Sequence, residues 1–264
     1  MRGFGEVAER LRRSTVQVLG DPRRGGGSGV VWNAGGLILT NAHVARSEQA
    51  EVVLWDGRRL PASVTARDPR RDLAAVRIAA GGLEAVMPAD SSVVRPGELA
   101  IAVGSPMGFA GALSTGVIHS IGPVTELGRL PWIRAAVQLA PGNSGGPLAN
   151  AVGQIIGINT AVANGLGLAV PSNAAAHFVE HGAPPRLGVT LRQARAGLLL
   201  LEVEEGSAAE AASLRPGDVV LGSYDDLSDT LASGQDVVRI RFQRGGRKVV
   251  RETFVRLAGR AEAA

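Results

Sequence analysis

Pro141-Gly142-Asn143-Ser144-Gly145-Gly146-Pro147-Leu148 sets a serine in a glycine-dense turn. The turn stands between the run Val137-Gln138-Leu139 and an apolar run that ends at Ile158. Glycines let the backbone take positive φ and draw N–H groups together without Cβ clashes. A nucleophile that passes through a tetrahedral oxyanion needs such N–H groups aimed at one point beside its own oxygen. The turn can therefore supply both an attacking hydroxyl and the donors that hold the developing charge. Gly, Asn and Ser also build ordinary surface turns, and the octapeptide alone leaves both readings open.

Two segments upstream bear on the choice. Thr40-Asn41-Ala42-His43-Val44 follows the strand-like run Gly36-Leu37-Ile38-Leu39, and Arg70-Arg71-Asp72 precedes the apolar run Leu73-Ala74-Ala75-Val76. A hydroxyl nucleophile needs an adjacent base, and the base needs an orienting carboxylate. The chain offers His43, Asp72 and Ser144 in that order, each at the edge of a predicted strand. Singly, each has a plain explanation: a histidine after a strand is an ordinary turn or core residue, and Asp72 reads as a turn cap. Asp68, four residues earlier, is a rival carboxylate.

The three together, with their flanks, resemble the chymotrypsin-like HtrA/Deg serine proteases. The resemblance rests on TNAHV around His43, DLA at Asp72 and GNSGGPL around Ser144. It extends to Gly27-Ser28-Gly29-Val30-Val31, to Ala102–Gly108, to Ser114–Ile118, to Gly157–Ala161 and to Gly165–Ser172. It implies a mainly β protein: a chymotrypsin-like double β-barrel with the triad in its cleft, followed by a small, shortened PDZ-like domain. The implied activity is that of a serine endopeptidase acting on unfolded or misfolded polypeptides in protein quality control. The alternative is a peptide-binding holdase with little proteolysis.

Matched position by position, the resemblance makes Ser144 the nucleophile, His43 the general base and acid, and Asp72 the group that fixes the His tautomer. The N–H groups of Gly142 and Ser144, with Asn143, would form the oxyanion hole. Leu139, Leu166 and Leu168 come from the segments expected to line the primary specificity pocket. Apolar walls without a buried charge predict small or medium aliphatic residues at P1. Leu187-Gly188-Val189 is similar to a PDZ carboxylate-binding loop, whose backbone N–H groups receive a peptide C-terminus. The resemblance further implies a homotrimer built through N-terminal contacts, with Phe4 as an aromatic contributor.

Three departures stand out. Ala135-Ala136-Val137 occupies the place where the family often has Thr-Asp-Ala. The loop Val162-Ala163-Asn164-Gly165 is several residues shorter than in well-known members, which predicts a site with less to switch. Between Asp218 and Val237 the chain is about ten residues shorter than a typical bacterial PDZ domain. The missing piece falls before the groove helix placed at Asp225–Ala232, and leaves a peptide sensor and a degenerate packing module both open.

Composition agrees and sets limits. The chain's 264 residues suffice for a two-barrel domain and a small second one. Its 36 glycines and 14 prolines suit many short strands and turns. With 3% aromatic residues, packing must rest on Val, Leu, Ile and Ala. The absence of cysteine excludes disulfides, thiolate chemistry and Cys-ligated zinc, and neither a metal nor a cofactor is called for. The net charge of +4 comes almost wholly from scattered arginines, with pairs at Arg12-Arg13, Arg23-Arg24 and Arg70-Arg71. No basic stripe interleaved with aromatics points to nucleic acid.

Residues 1–13 lack the apolar core of a signal peptide and read as a short amphipathic helix with Phe4, Val7, Ala8 and Leu11 on one face. That predicts a cytoplasmic protein if the chain is whole, and a periplasmic or envelope one if a leader has been removed. The expected organisation is the N-terminal segment 1–13, a protease domain over 14–181, a linker over 182–185, a PDZ-like domain over 186–258 and a tail over 259–264. Within the protease domain the barrels span about 14–90 and 99–171. Strands are expected at Thr15–Leu19, Ser28–Trp32, Leu37–Thr40, Glu51–Leu54, Pro61–Asp68 and Leu73–Ile78, and a helix at Ser172–His181.

Overall fold

The computed structural model describes residues 3–20, 25–105, 111–246 and 249–257. The Arg23-Arg24 pair, Pro106–Gly108 of the resemblance and the expected tail 259–264 lie outside them. The chain divides into two compact units that meet between Ala183 and Pro184.

In the first unit, helix α1 (Phe4–Arg13) precedes two closed six-stranded barrels. Barrel one comprises β1 (Thr15–Leu19), β2 (Gly26–Val31), β3 (Leu37–Thr40), β4 (Gln49–Val53), β5 (Arg59–Asp68) and β6 (Leu73–Ile78), closed in the order β1-β2-β3-β6-β5-β4. Three of these strands sit where the sequence predicts them, and β2, β4 and β5 begin two residues earlier. Barrel two comprises β7 (Leu99–Gly104), β8 (Ala112–Pro123), β9 (Pro131–Ala135), β10 (Pro147–Ala149), β11 (Ile155–Ala163) and β12 (Leu166–Pro171), in the order β10-β11-β12-β9-β8-β7. Helix α2 (Ser172–His181) follows and buries Phe178.

The continuous apolar runs of the sequence follow from burial on both faces of a strand. In β3, Ile38 points into barrel one while Leu37 and Leu39 join a second cluster shared with barrel two. In β6, Ala74 and Val76 point inward while Leu73 and Ala75 join the shared cluster. That cluster also holds Ile101 and Val103 of β7, Ile155 and Ile158 of β11, and Phe178 of α2. The barrels are thus joined by apolar packing. α1 buries Val7 and Leu11, but Phe4 stays 49% exposed.

The second unit is a five-stranded antiparallel sheet in sequential order: β13 (Val189–Ala194), β14 (Gly197–Val203), β15 (Val219–Val220), β16 (Val237–Gln243) and β17 (Val250–Arg256). Helices α3 (Ala208–Ala211) and α4 (Tyr224–Ala232) complete it. β15 passes through Leu221–Ser223 directly into α4, with no hairpin between them. A capping box starts α4, Ser223 and Asp226 each accepting the other's backbone N–H.

Asp218 is buried and receives Arg244 through two bonds of 2.7 Å, together with Arg215 N–H at 2.9 Å. Burial pushes its carboxyl up, but the Arg244 bonds, the Arg215 N–H and both positive charges outweigh this and hold it below the usual carboxylate range. The stability that the pair contributes is therefore present above the ordinary Asp range and is lost as pH falls through the depressed value. Arg244→Leu strands a buried carboxylate, and removing one partner of such a pair costs about 3 kcal/mol or more. Calorimetry of the whole chain should show the transition of the second unit moving down at neutral pH; an unmoved transition would contradict the pair's role.

Among the described residues no helix is long and apolar enough to cross a membrane.

Candidate active site

β3 and β6 are hydrogen-bonded neighbours, with Thr40 opposite Ala74. Antiparallel pairing puts the exit of β3 beside the start of β6, so His43 and Asp72 meet although 28 residues separate them in sequence. His43 is carried on a tight turn in which Val44 and Ala45 N–H both donate to Asn41 C=O. Asp72 adopts φ +53, a left-handed conformation that Asp and Asn tolerate better than most residues. Its own C=O accepts from the buried Asn41 amide at 2.8 Å.

The rival carboxylate has another task. Asp68 is 1% exposed and accepts Arg70 N–H at 3.0 Å, Arg71 N–H at 3.2 Å and the Arg71 guanidinium at 2.8 Å. It folds the turn that presents Asp72 and does not contact His43.

The carboxylate of Asp72 is surrounded by donors. Oδ2 lies 2.7 Å from His43 Nδ1 and also receives the Thr160 hydroxyl, while Oδ1 receives His43 N–H at 3.0 Å. An ionised carboxylate only accepts, so the imidazole proton sits on Nδ1 and the lone pair on Nε2. Ser144 Oγ donates to Thr160 C=O at 2.8 Å. Its hydroxyl is thus turned toward β11 and makes no hydrogen bond to His43; rotation about the Cα–Cβ bond redirects it. Loose resting geometry of this kind is common before substrate arrives.

The turn itself is held by a set of backbone bonds. Asn143 N–H donates to Ala140 C=O at 3.0 Å, Gly145 N–H to Asn159 C=O at 2.7 Å and Gly146 N–H to Asn143 C=O at 3.0 Å. This corrects one sequence expectation: Asn143 N–H is engaged by Ala140 and is no free oxyanion donor. The N–H groups of Gly142 and Ser144 have no acceptor among the described residues. Gly142 holds φ +103, which its missing Cβ permits.

Gly145 is the tightest position in the turn. Its φ is +89, and an added Cβ would lie 2.0 Å from Ser28 O and 2.4 Å from Thr40 Oγ1. Gly145→Ala should cost roughly 3 kcal/mol from left-handed strain and overpacking together. It should also lower kcat by displacing Ser144, whose peptide it shares. A thermal melt with a parallel rate measurement checks this, and wild-type values in both would refute it.

Two cavities flank the turn. Pro141, Gly142, Ser144, His43, Val44 and Arg46 line one of about 480 Å³. The other, about 520 Å³, is lined by Leu139, Ala140 and Asn143 with Val137, Ser114 and Val162 among others, and none of the described residues that line it is charged. Leu139, expected at the primary specificity pocket, lines this second cavity. Leu166 and Leu168 are not among its lining residues. Leu168 packs into the cluster between the barrels, and Leu166 shares its face of β12. The opposite face carries Gly167, where a Cβ would meet Val137 and Leu139 at 2.9–3.0 Å.

Ala136, in place of the family's Asp, is held by its backbone alone, its N–H donating to Val117 C=O at 2.8 Å. The short loop is a two-residue hairpin: Ala163 pairs with Leu166, and Asn164 and Gly165 take φ +51 and +77. This is the Asn-Gly pattern of a type I′ turn.

In the second unit, Leu187 is buried in the core, with its C=O receiving Ala209 N–H at 2.9 Å. Gly188 has φ +74, and its C=O receives Glu204 N–H at 2.9 Å. Val189 begins β13, an edge strand of the sheet. Tyr224 on α4 donates its hydroxyl to Leu191 C=O on that strand at 2.7 Å.

Thr160, Asn41 and Gly167 were not singled out from sequence. An Asp two and three residues before the N–H groups it binds is an Asx-turn spacing, which could have distinguished Asp68 from Asp72. Thr160 meets Asp72 from the other barrel, and local sequence carries no signal for that.

Residues 27–158, half of the chain, match the trypsin-like peptidase domain family. A Synechocystis sp. protein with a serine-protease name, HhoB, is 36% identical over 76% of this chain and 57% of its own length. A periplasmic serine endoprotease, DegP-like by name, from Chlamydia pneumoniae is 33% identical over 81% of this chain and 49% of its own. The solved HtrA-type protease AlgW, with a decapeptide, matches with a TM-score of 0.68 and 26% identity, covering 98% of this chain and 99% of that one. The chain spans about half the length of these curated relatives. It belongs to the HtrA/DegP family of trypsin-like serine proteases.

Proposed function

We propose that this chain hydrolyses peptide bonds through His43, Asp72 and Ser144. The observation that carries the reading is the Asp72–His43 Nδ1 contact of 2.7 Å, in a cleft that Ser144 and Gly142 also line. Ser144 Oγ attacks the scissile carbonyl while His43 Nε2 takes its proton. The N–H groups of Gly142 and Ser144 hold the oxyanion, each such donor being worth about 3 kcal/mol. His43 then protonates the leaving amine, and water, activated by the same imidazole, releases the acyl group.

The uncharged pocket beside Leu139 favours small or medium aliphatic P1 residues, and an unfolded chain is the form in which such residues reach the cleft. A panel of peptides differing only at P1 tests this: cleavage after Val, Ala or Leu is expected, and preferential cleavage after Arg or Lys would overturn it.

The closed Asn164–Gly165 hairpin and the bonded turn favour a site formed at rest. Turnover of a small substrate should be the same with and without a peptide bearing a free C-terminus; strong activation would contradict this. Binding of such a peptide at Leu187–Val189 would have to displace the Tyr224–Leu191 bond, so we assign the second unit weak affinity at most, to be read by fluorescence anisotropy. Exposed Phe4 supports the trimer that the resemblance implies, and light scattering of Phe4→Ala tests it. A role in quality control on the envelope side of the membrane follows the periplasmic name of the Chlamydia relative, and cell fractionation tests it.

A further inference from the structure

We infer that Ser28 is a positioning residue that holds the oxyanion-binding backbone in its working orientation; the inference rests on the protease reading above. Ser28 lies in β2 of barrel one, is fully buried, and touches the Ser144 turn of barrel two at two points. Its backbone N–H donates to Ser144 C=O at 2.7 Å. Its hydroxyl accepts Ser105 N–H at 2.8 Å. That bond orients the oxygen and leaves its single proton for Gly142 C=O, which lies 2.6 Å away and can only accept. Thr40 anchors Ser28 in turn, its hydroxyl donating to Ser28 C=O at 2.6 Å.

The geometry of alternate peptide planes gives these contacts their consequence. The plane between Gly142 and Asn143 is held at both ends, its C=O by Ser28 Oγ and its N–H by Ala140 C=O. The plane between Ser144 and Gly145 is also held at both ends, its C=O by Ser28 N–H and its N–H by Asn159 C=O. The planes carrying the Gly142 and Ser144 N–H groups flank these two, and their N–H groups remain without acceptors. Each peptide unit is a rigid plane, so the two held units pin the Cα atoms about which the free units turn, and Ser28 limits how far either free N–H can swing. Gly142 is the residue with most freedom to swing, because glycine populates both signs of φ. The hydroxyl of Ser28 restrains that freedom at the adjoining carbonyl.

Ser28→Ala removes the bond to Gly142 without touching the triad. A donor misplaced by a fraction of an ångström acts chiefly on the transition state, so kcat on a small peptide substrate should fall about 10- to 100-fold with KM little changed. A peptide boronate, whose adduct places a negative oxygen in the hole, should weaken by a similar factor. Binding of an uncleaved substrate, read in a Ser144→Ala background, should not weaken. A merely structural role would not split the ligands in this way. Ser28→Thr keeps the hydroxyl and should recover most of the rate. Ser28→Cys keeps the volume with a poor donor, should stay low, and serves if the alanine variant fails to fold. An active wild type with kcat within threefold of it in Ser28→Ala, or in Ser28→Cys if alanine does not fold, would overturn the inference, as would equal weakening of boronate and substrate. A wild type that neither hydrolyses peptide nor binds the boronate would instead overturn the protease reading.

Discussion

Replacing Ser144 with alanine abolishes digestion of an unfolded protein such as casein, with kcat falling by on the order of a millionfold. The size of the loss follows from chemistry. Among the described residues no hydroxyl other than that of Ser144 lines the cleft beside His43 and Gly142. The loss is also clean. The turn is held by Ser28 N–H on Ser144 C=O, Gly145 N–H on Asn159 C=O and Asn143 N–H on Ala140 C=O, none of which uses the serine side chain. Among the described residues the one bond removed is Oγ to Thr160 C=O, so the thermal melt should stay close to wild type. Comparison of wild-type and variant rates on casein, with melts in parallel, reads both halves of the expectation. Equal digestion by the two proteins would remove Ser144 from the mechanism, and a collapsed melt would show that the hydroxyl is needed for the fold.

Asp72→Asn should lower kcat by about 10⁴-fold, the scale of the corresponding change in another serine protease. Asparagine is the informative replacement because position 72 holds φ +53, which Asn accepts and Ala resists. The backbone bond from the Asn41 amide to residue 72 C=O can therefore persist. What changes is the proton on the imidazole. Asp72 receives both His43 Nδ1 and the Thr160 hydroxyl on one oxygen. If the amide NH₂ takes that side, it presents a donor to Nδ1, which must then accept, and the proton moves to Nε2. In that tautomer His43 cannot take the proton of Ser144. Steady-state rates on a small peptide, with a crystal structure of the variant to confirm the unmoved backbone, test the point. A loss of less than tenfold would mean that Asp72 does not set the tautomer.

The positions of His43, Asp72 and Ser144 were legible because each is announced by what flanks it. An apolar run ends before His43, another begins after Asp72, and glycines surround Ser144. Both barrels were legible for a related reason: strands buried on two faces read as unbroken Val, Leu, Ile and Ala. The specificity pocket was less so. Leu166 and Leu168 were expected there from their segment, and a run of small and apolar residues buried on both faces gives no alternation from which to read which face meets the cavity. Asn143 was misassigned because the sequence shows which N–H groups the turn contains but not which carbonyls they meet; Ala140 C=O takes that one. Contacts between barrels were hidden altogether. Ser28 to Gly142 spans 114 residues, and Thr160 to Asp72 spans 88. Such pairs depend on how two closed sheets pack, which local pattern does not encode.

In the proposed mechanism His43 and Asp72 make Ser144 a nucleophile at rest. The most direct measurement is reaction of the whole chain with a fluorophosphonate, followed by intact-mass determination and peptide mapping. One phosphonyl group per chain is expected, attached at Ser144, formed without any added peptide, and lost in His43→Ala. A chain that stays unlabelled under conditions that label another serine protease, or a label found on a serine other than Ser144, would contradict it.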